Sequence, residues 1–170
     1  MNVIVGLQEG SRSAEKAIAA GLKVCTPSQA AAQADLVMIL IPDEKQHDLY
    51  INDIEPVMSA GKTLAFAHGF NIHYKRIQPA SDINVIMIAP KGPGHTVRSQ
   101  FKAGRGVPAL FAIGNDASGN ARDIAFAYAH GIGCSRGGLL ETSFREETET
   151  DRVGEQCVVC GGVSELMQTG

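Results

Sequence analysis

The chain has 170 residues, of which 44% are hydrophobic and 19% charged, and its formal net charge is −3. This composition is typical of one globular domain with a real core, and the charge gives no electrostatic reason to expect a nucleic acid partner. No apolar run approaches the roughly 20 residues that cross a bilayer, and no basic region followed by a long apolar stretch opens the chain. We therefore expect neither a membrane span nor a secretory signal.

The four cysteines are irregularly spaced, at Cys25, Cys134, Cys157 and Cys160. In a chain without a secretory signal, this pattern predicts free thiols in a reducing cytoplasm. The pair Cys157-x-x-Cys160 fits two small residues on a helix better than a zinc site, because no second such pair and no histidine pair accompanies it.

Short apolar runs alternate with helical segments along the chain. The patterns predict strands over residues 2–6, 22–25, 36–41, 63–67, 84–89 and 108–113, and helices over 11–20, 28–34, 46–58 and 117–130. Residues 74–77 are expected to form a short turn or helix, and the Gly/Pro-rich segment after residue 89 an irregular loop. This alternation predicts an α/β fold with a doubly wound, mostly parallel sheet.

One expected part of such a fold is not seen in the sequence. A doubly wound dinucleotide-binding domain normally begins with a strand and a glycine-rich turn that opens a helix and binds the pyrophosphate. This chain begins at a strand that behaves like the second one, and it contains no G-x-G-x-x-G. Either the domain is of another type or its first βα unit has been cut away.

The loop after the first strand, residues 7–13, is polar. In a nucleotide-binding fold this loop lies beside the adenosine ribose. Ser11, Arg12 and Ser13 offer donors suited to a 2′-phosphate, whereas Glu9 argues weakly for free hydroxyls. The alternative is a plain helix-capping loop.

Two further strand ends carry candidate residues. Residues 42–46 could line an adenine or ribose edge, or could simply begin a helix with favourable acidic residues. His68 comes directly after a buried strand and next to a glycine, which suits a general acid or base, although a structural histidine is the alternative.

Lys91 lies in a loop with two prolines and two glycines that follows the strand predicted over 84–89. A stiff loop that holds a cation at the sheet edge can neutralise a carboxylate or polarise a carbonyl. The spacing is not that of a P-loop, because no G-K-[ST] opens a helix.

The segment over residues 141–156 is rich in carboxylates. If the chain is helical from Glu147 onward, Asp151 and Glu155 stand four apart on one face and could hold Mg²⁺. The alternative is a solvated acidic helix face. The apolar stretch that follows, over residues 157–163, counts against this alternative, because a helix that runs acidic residues straight into a buried stretch is expected to direct them at a ligand.

Taken together, these segments resemble ketol-acid reductoisomerase, the acetohydroxy-acid isomeroreductase of branched-chain amino-acid synthesis. The matching motifs, in chain order, are GLQEGSRS, ILIPDEKQ, AFAHGFNIHY, IAPKGPGHTVR, DASGNA and ETSFREETETDRVGEQ. The resemblance implies NADPH and two Mg²⁺ ions as cofactors. It also implies conversion of 2-acetolactate to 2,3-dihydroxyisovalerate by a metal-assisted alkyl migration followed by hydride transfer.

The resemblance also implies roles for individual residues. Asp151 matches the carboxylate that bridges the two ions, Glu155 matches a ligand of one ion, and His68 and Lys91 match active-site residues. Gln8 stands where many members have an arginine, so we expect the binding of a 2′-phosphate either to be weaker or to rest on Arg12. The expected cofactor-binding residues are Gln8, Ser11, Arg12, Ser13, Asp43, Gln46 and Gly94.

The resemblance implies two parts of the chain. Residues 1–143 are expected to be a truncated NADP-binding Rossmann-type domain without its first βα unit, and residues 144–170 the beginning of an all-helical metal- and substrate-binding domain. The intact protein is expected to be a cytoplasmic homo-oligomer that acts on a small acetohydroxy acid. The 170 residues alone are expected neither to turn over substrate nor to bind NADPH tightly.

Two other functions are consistent with the same sequence. A 6-phosphogluconate-type or hydroxy-acid dehydrogenase would share the fold but would not need paired metal carboxylates. A truncated or decayed copy would be a non-catalytic binding module that keeps the fold.

Overall fold

A computed structural model describes residues 2–151, in which seven strands alternate with seven α-helices. The strands are β1 (Ile4–Gly6), β2 (Lys23–Cys25), β3 (Leu36–Ile39), β4 (Thr63–Phe66), β5 (Asn84–Pro90), β6 (Ala109–Asn115) and β7 (Leu139–Glu141). The helices are α1 (Ala14–Ala19), α2 (Pro27–Gln33), α3 (Asp43–Leu49), α4 (Phe70–His73), α5 (Gly94–Lys102), α6 (Ala121–Gly131) and α7 (Phe144–Asp151).

The strands form two separate sheets. Five strands lie in the order β3-β4-β5-β6-β7, and β1 and β2 form a two-stranded sheet of their own. Neighbouring strands are parallel except for β5 and β6, which are antiparallel. The prediction of an α/β fold with a mostly parallel sheet is confirmed, while the reversal at β6 follows a connection through α5 that the sequence did not reveal.

The two sheets are not hydrogen-bonded to each other within residues 2–151. There, β1 pairs with β2 and β3 pairs with β4, so one edge of β1 and one edge of β3 carry no ladder. Both strands belong to parallel pairs connected through helices. Along the chain, the two sheets are therefore separated by α2, which connects β2 to β3.

The core lies on both faces of the five-stranded sheet. On one face Leu64 and Phe66 of β4 pack with Met87 of β5, and on the other Ala65 packs with Ile86. Successive strand residues point to opposite faces. Because helices cover both faces, β4 and β5 are apolar without interruption after their first residues, Thr63 and Asn84, as expected for buried parallel strands.

Local sequence explains the starts of α2 and α3. α2 begins at Pro27 with Thr26 and Gln29 forming a reciprocal capping box. α3 begins at Asp43, three residues before the predicted start, because the acidic residues of its first turn favour a helix N-terminus. It continues as a π-helical turn, Tyr50–Ile54, and a 3₁₀ turn, Glu55–Val57.

α5 is a helix in a segment that the sequence predicted to be irregular. Pro93 precedes it in an extended conformation, and the nine residues that follow contain no proline. The prolines and glycines of the loop therefore end before the helix begins. Among the described residues, no helix is both long and apolar enough to cross a membrane.

Candidate functional site

The carboxyl ends of β4 and β5 hold the first two candidate residues side by side. His68 follows β4, and Lys91 follows β5, where its backbone N–H donates to the Pro108 carbonyl at 2.8 Å. α7 packs across this edge of the sheet, against α4 and β6. Ligands of parallel α/β proteins bind at this edge.

Glu147 of α7 links these residues into one cluster, although it is only 1% exposed. Its Oε2 accepts from the Gly69 N–H and from His68 Nδ1, both at 2.9 Å. Its Oε1 lies 3.1 Å from Lys91 Nζ, and the same Nζ lies 2.9 Å from Asp151 Oδ1. We call His68, Lys91, Glu147 and Asp151 the carboxylate cluster.

The partners inside this cluster shift one another's pKa values. Burial alone would raise the pKa of Glu147, but hydrogen bonds from His68, Gly69 and Lys91 outweigh it and lower the pKa. The hydrogen bond to Glu147 raises the pKa of His68 despite the opposing effect of burial. Burial would lower the pKa of Lys91, yet its bonds to Asp151 and Glu147 raise it. The cluster therefore holds Glu147 ionised and Lys91 charged.

A close backbone approach fixes α7 in this position. A Cβ added at Gly69 would lie 2.5 Å from both the Phe144 carbonyl oxygen and Thr148 Oγ1, so only glycine fits there. The Phe144 ring packs edge-on against Phe66 of β4, with ring centroids 6.4 Å apart. The start of α7 is thus part of the same core as the sheet.

The cluster suits a hard cation at one place. His68, Glu147 and Asp151 each offer a ligand atom, and these atoms lie within 4.8 Å of one another. Both oxygens of Glu147 already accept hydrogen bonds, whereas Asp151 is 28% exposed and its Oδ1 accepts from Lys91. An oxygen-preferring ion such as Mg²⁺ fits at Asp151. Lys91, which contacts both Asp151 and Glu147, would then hold Asp151 in position.

A cavity of about 710 Å³ lies at the carboxyl ends of β1 and β3. The loop after β1 forms one wall, the loop after β3 a second, and one face of α3 with the π-helical turn a third. The lining residues are Gly6, Leu7, Gln8, Glu9, Gly10, Ser11, Pro27, Ile41, Pro42, Lys45, Asp48, Leu49, Asn52 and Asp53.

Helical spacing divides α3 between this cavity and the core. Lys45, Asp48 and Asn52 follow one another at intervals of three and four residues and share the cavity face. Asp43 and Gln46 do not belong to the cavity lining. Gln46 is 5% exposed and donates to the Ile41 carbonyl and to Asp43 Oδ1.

Asp43 faces the carboxylate cluster. Burial is the largest effect on its carboxyl and raises the pKa, while the nearby positive charge of His68 lowers it. Buried Asn71 donates to the Asp43 carbonyl and to Gln46 Oε1, so it ties the start of α3 to α4. Asp43 therefore interacts electrostatically with the candidate catalytic residues.

The structure brings together some of the predicted site residues and separates others. Gln8 and Ser11 line the cavity, whereas Arg12 and Ser13 are exposed beside it. Gly94 begins α5 and lines a different, smaller cavity with Arg98 and Phe101. Glu155, Cys157 and Cys160 lie outside the described residues. Cys25 and Cys134 are free thiols.

Sequence reasoning missed Glu147 as a site residue. The signal was present, since residues 147, 151 and 155 continue one i, i+4 series on a helix.

The strand ends, the cavity beside them and the doubly wound sheet define an α/β protein of the nicotinamide-dinucleotide-binding type. Residues 1–138 match the family described as acetohydroxy acid isomeroreductase, NADPH-binding domain. The chain belongs to this family, and the resemblance seen in the sequence is confirmed.

Solved structures agree with this assignment. A ketol-acid reductoisomerase from an uncultured archean, described as NADH-preferring, is 45% identical with a TM-score of 0.94. The match covers 100% of this chain and 53% of that one, so the chain spans about half the length of this relative.

Two further structures share the fold at lower identity. A putative oxidoreductase from Jannaschia sp. CCS1 is 11% identical, with a TM-score of 0.74 over 96% of this chain and 61% of that one. A semialdehyde dehydrogenase NAD-binding protein from Cupriavidus necator is 15% identical, with a TM-score of 0.73 over 94% and 60%.

Proposed function

We propose that this chain is the nucleotide-binding part of a ketol-acid reductoisomerase that converts 2-acetolactate to 2,3-dihydroxyisovalerate with Mg²⁺ and a nicotinamide dinucleotide. Family membership and the 45% identical relative support this proposal. The chain spans 53% of that relative, so the activity is proposed for the longer protein.

The carboxylate cluster is the observation that carries the proposal. A plain dehydrogenase needs a proton donor near its nicotinamide, but it has no need of two carboxylates held on either side of a lysine. Here Lys91 Nζ lies 3.1 Å from Glu147 and 2.9 Å from Asp151, at a sheet edge suited to ligands. That arrangement favours chemistry on a substrate with adjacent oxygens.

Each residue of the cluster has a defined task. When bound, Mg²⁺ would supply charge stabilisation for the alkyl migration, and the dinucleotide would supply the hydride. Asp151 would hold the ion, and Lys91 fixes the orientation of Asp151 while balancing its charge. Because ionised Glu147 accepts at Oε2, His68 donates through Nδ1, which directs its Nε2 toward proton exchange with substrate.

The reductant is a nicotinamide dinucleotide, consistent with the family description. The sequence resemblance favours NADPH, with Gln8 and Ser11 in the cavity and Arg12 and Ser13 beside it. The 45% identical relative is described as NADH-preferring. The same hydride transfer is possible with either reductant.

The proposal includes the wider organisation expected from the sequence. Residues 1–143 would form a nucleotide-binding domain whose sheet is completed by a strand between β1 and β3, where neither edge carries a ladder within residues 2–151. Residues 144–170 would begin a helical domain with Glu155 as a further metal ligand. We propose a cytoplasmic homo-oligomer acting on a small acetohydroxy acid, without a nucleic acid or membrane partner.

The test is an Mg²⁺-dependent assay of NADPH and NADH oxidation with 2-acetolactate, on protein expressed from the reading frame extended in both directions. Asp151→Asn is expected to lower kcat by about 100-fold or more, because an ion loses its charged ligand. Glu146→Gln is the matched control, since Glu146 is an exposed carboxylate of the same helix outside the cluster. It should keep near wild-type activity.

Chelation separates the rival functions. A 6-phosphogluconate-type or hydroxy-acid dehydrogenase would keep its activity in excess EDTA, whereas the proposed enzyme would lose it and regain it with Mg²⁺. A non-catalytic binding module would bind dinucleotide without turnover. A folded, full-length wild type that is inactive on 2-acetolactate would contradict the proposal.

A further inference from the structure

We infer that Asn71 is a positioning residue, which holds the Asp43 carboxylate in a fixed place relative to His68. The inference rests on the proposed function for the reaction, and it adds a residue that acts on the reacting groups through other side chains. It concerns the buried amide groups between α3 and α4, which lie outside the lining of the cavity at β1 and β3.

Asn71 belongs to the same tight turn as the candidate catalytic histidine. It lies three residues after His68 and two after Gly69, whose N–H donates to Glu147. Its side chain is 1% exposed and points into the protein from the short helix α4. Because these residues share one turn, a group that is bonded to the Asn71 side chain keeps a fixed distance from His68.

A chain of two side-chain amides runs from Asn71 to the start of α3. Asn71 Nδ2 donates to Gln46 Oε1 at 3.1 Å and to the Asp43 carbonyl at 3.0 Å. Gln46 Nε2 in turn donates to Asp43 Oδ1 at 3.0 Å and to the Ile41 carbonyl at 2.8 Å. The Asp43 carboxylate interacts electrostatically with His68. The chain therefore begins in the turn that carries His68 and ends at a carboxylate whose charge acts on His68.

The neighbouring acceptors fix the direction of both amides. The Ile41 carbonyl can only accept a hydrogen bond, so the NH₂ group of Gln46 has to face it. The oxygen of Gln46 then faces Asn71, and the Asp43 carbonyl also faces Asn71. Asn71 therefore presents its NH₂ group to both of these acceptors, and its oxygen points the other way.

That oxygen has no partner among the described residues. Within residues 2–151, nothing donates to Asn71 Oδ1, although this atom is buried. A buried acceptor without a hydrogen bond lowers the stability of a fold. A leucine has a similar size and would not carry this cost. Stability alone therefore does not favour asparagine at this position, whereas its NH₂ group has a use, which is to hold Gln46 and Asp43.

Asn84 is a buried asparagine with the opposite balance. Its Nδ2 donates to Thr63 Oγ1 and Ser118 Oγ, and its Oδ1 accepts from the N–H and the hydroxyl of Ser118. It is the first residue of β5, at the end of the strand opposite Lys91. Both halves of its amide are bonded, so Asn84 serves the fold and provides a matched control for Asn71.

The experiment measures turnover of 2-acetolactate by full-length variants. Asn71→Leu is expected to lower kcat about tenfold or more, with KM changed less, because the lost bonds orient groups at the reacting centre. Gln46→Met removes the middle of the same chain and should lower kcat by a similar factor. The variant with both changes should be no worse than either single variant, because all three break one chain of bonds.

Stability separates positioning from a purely structural role. Asn84→Leu should lower the urea midpoint more than Asn71→Leu does, because both halves of a bonded amide lose their partners. The milder Asn84→Ser replaces it if the leucine variant does not fold, and either control should keep the wild-type kcat. Wild-type kcat in Asn71→Leu would overturn the inference. A kcat that falls only in step with the urea midpoint across the variants would overturn it as well.

An NMR measurement keeps this inference separate from the proposed function. The signals of the His68 ring nitrogens, assigned with His68→Gln, can be followed in full-length protein without substrate. They should shift in Asn71→Leu and Gln46→Met and stay in place in Asn84→Ser. If they do so but wild type turns over no 2-acetolactate, the proposed function fails and the inference stands. Unchanged His68 signals in Asn71→Leu overturn the inference, whatever the turnover.

Discussion

The five-stranded sheet and the two-stranded β1–β2 sheet differ sharply in burial. β4 and β5 are covered on both faces, with Phe66 and Met87 fully buried, whereas α1 has no buried residue and β1 and β2 have none either. The carboxylate cluster rests on the first region, and half of the cavity wall belongs to the second. Within residues 2–151, the candidate catalytic residues thus lie in the more deeply buried region, and half of the cavity wall lies in the less buried one.

Truncation of a buried side chain should show the difference in burial between the two regions most strongly. Phe66→Ala is expected to destabilise the protein by about 4 kcal/mol, because it removes a fully buried ring from the larger core. Ile18→Ala in α1, where Ile18 is 62% exposed, should change the free energy of unfolding by less than about 0.5 kcal/mol. Urea denaturation of full-length protein measures the free energy of unfolding of both variants. A similar loss in the two variants would contradict the difference between the regions.

The carboxylate cluster should contribute to the stability of the first region as well as to function. Glu147→Ala is expected to cost about 3 kcal/mol, because Lys91, His68 and the Gly69 N–H lose a buried charged partner. Glu149→Ala on the same helix removes the contacts of an exposed carboxylate with Arg145 and His73, and it should cost less than about 0.5 kcal/mol. If the two variants lose the same free energy of unfolding, the buried contacts of Glu147 do not stabilise the protein more than an exposed ion pair does.

A smaller effect should appear as pH changes. The pKa of His68 is raised above its ordinary value of 6.5 by its bond to Glu147. Its stabilisation is therefore complete below about pH 6.5 and is lost as pH rises through the raised pKa. The difference in urea midpoint between wild type and His68→Gln, followed from about pH 5.5 to pH 9, should shrink with rising pH.

This pH effect belongs to the better-packed region. Residues 2–33 contain no histidine, so a change near neutral pH has no source in the β1–β2 unit. A pH-independent difference between wild type and His68→Gln would show that the side chain contributes through packing alone.

The sequence predicted the strands of the first region well, because burial on both faces produces unbroken apolar runs. The strand predicted over 63–67 is found at Thr63–Phe66, and the one over 84–89 at Asn84–Pro90. Strand direction was not predictable, since the antiparallel β6 carries the same apolar pattern as its parallel neighbours. α5 was missed because Pro93 and Gly94 obscured its start.

The candidate site was predictable where chemistry follows a strand directly. His68 and Lys91 could be selected because they follow buried runs. The contact between Glu147 and Gly69 joins residues 78 positions apart, so no local pattern contains it. The roles of Asp43 and Gln46 as cofactor ligands stay predictions, and neither residue belongs to the lining of the cavity.

The edge of β3 has a consequence for handling the protein. Within residues 2–151, β3 pairs with β4 alone, and Leu40 directly after it is 70% exposed. A strand edge beside exposed apolar side chains is a template onto which another chain can add. Expressed alone, residues 1–170 should therefore self-associate through this edge, in proportion to concentration, and Leu40→Lys should keep them dispersed.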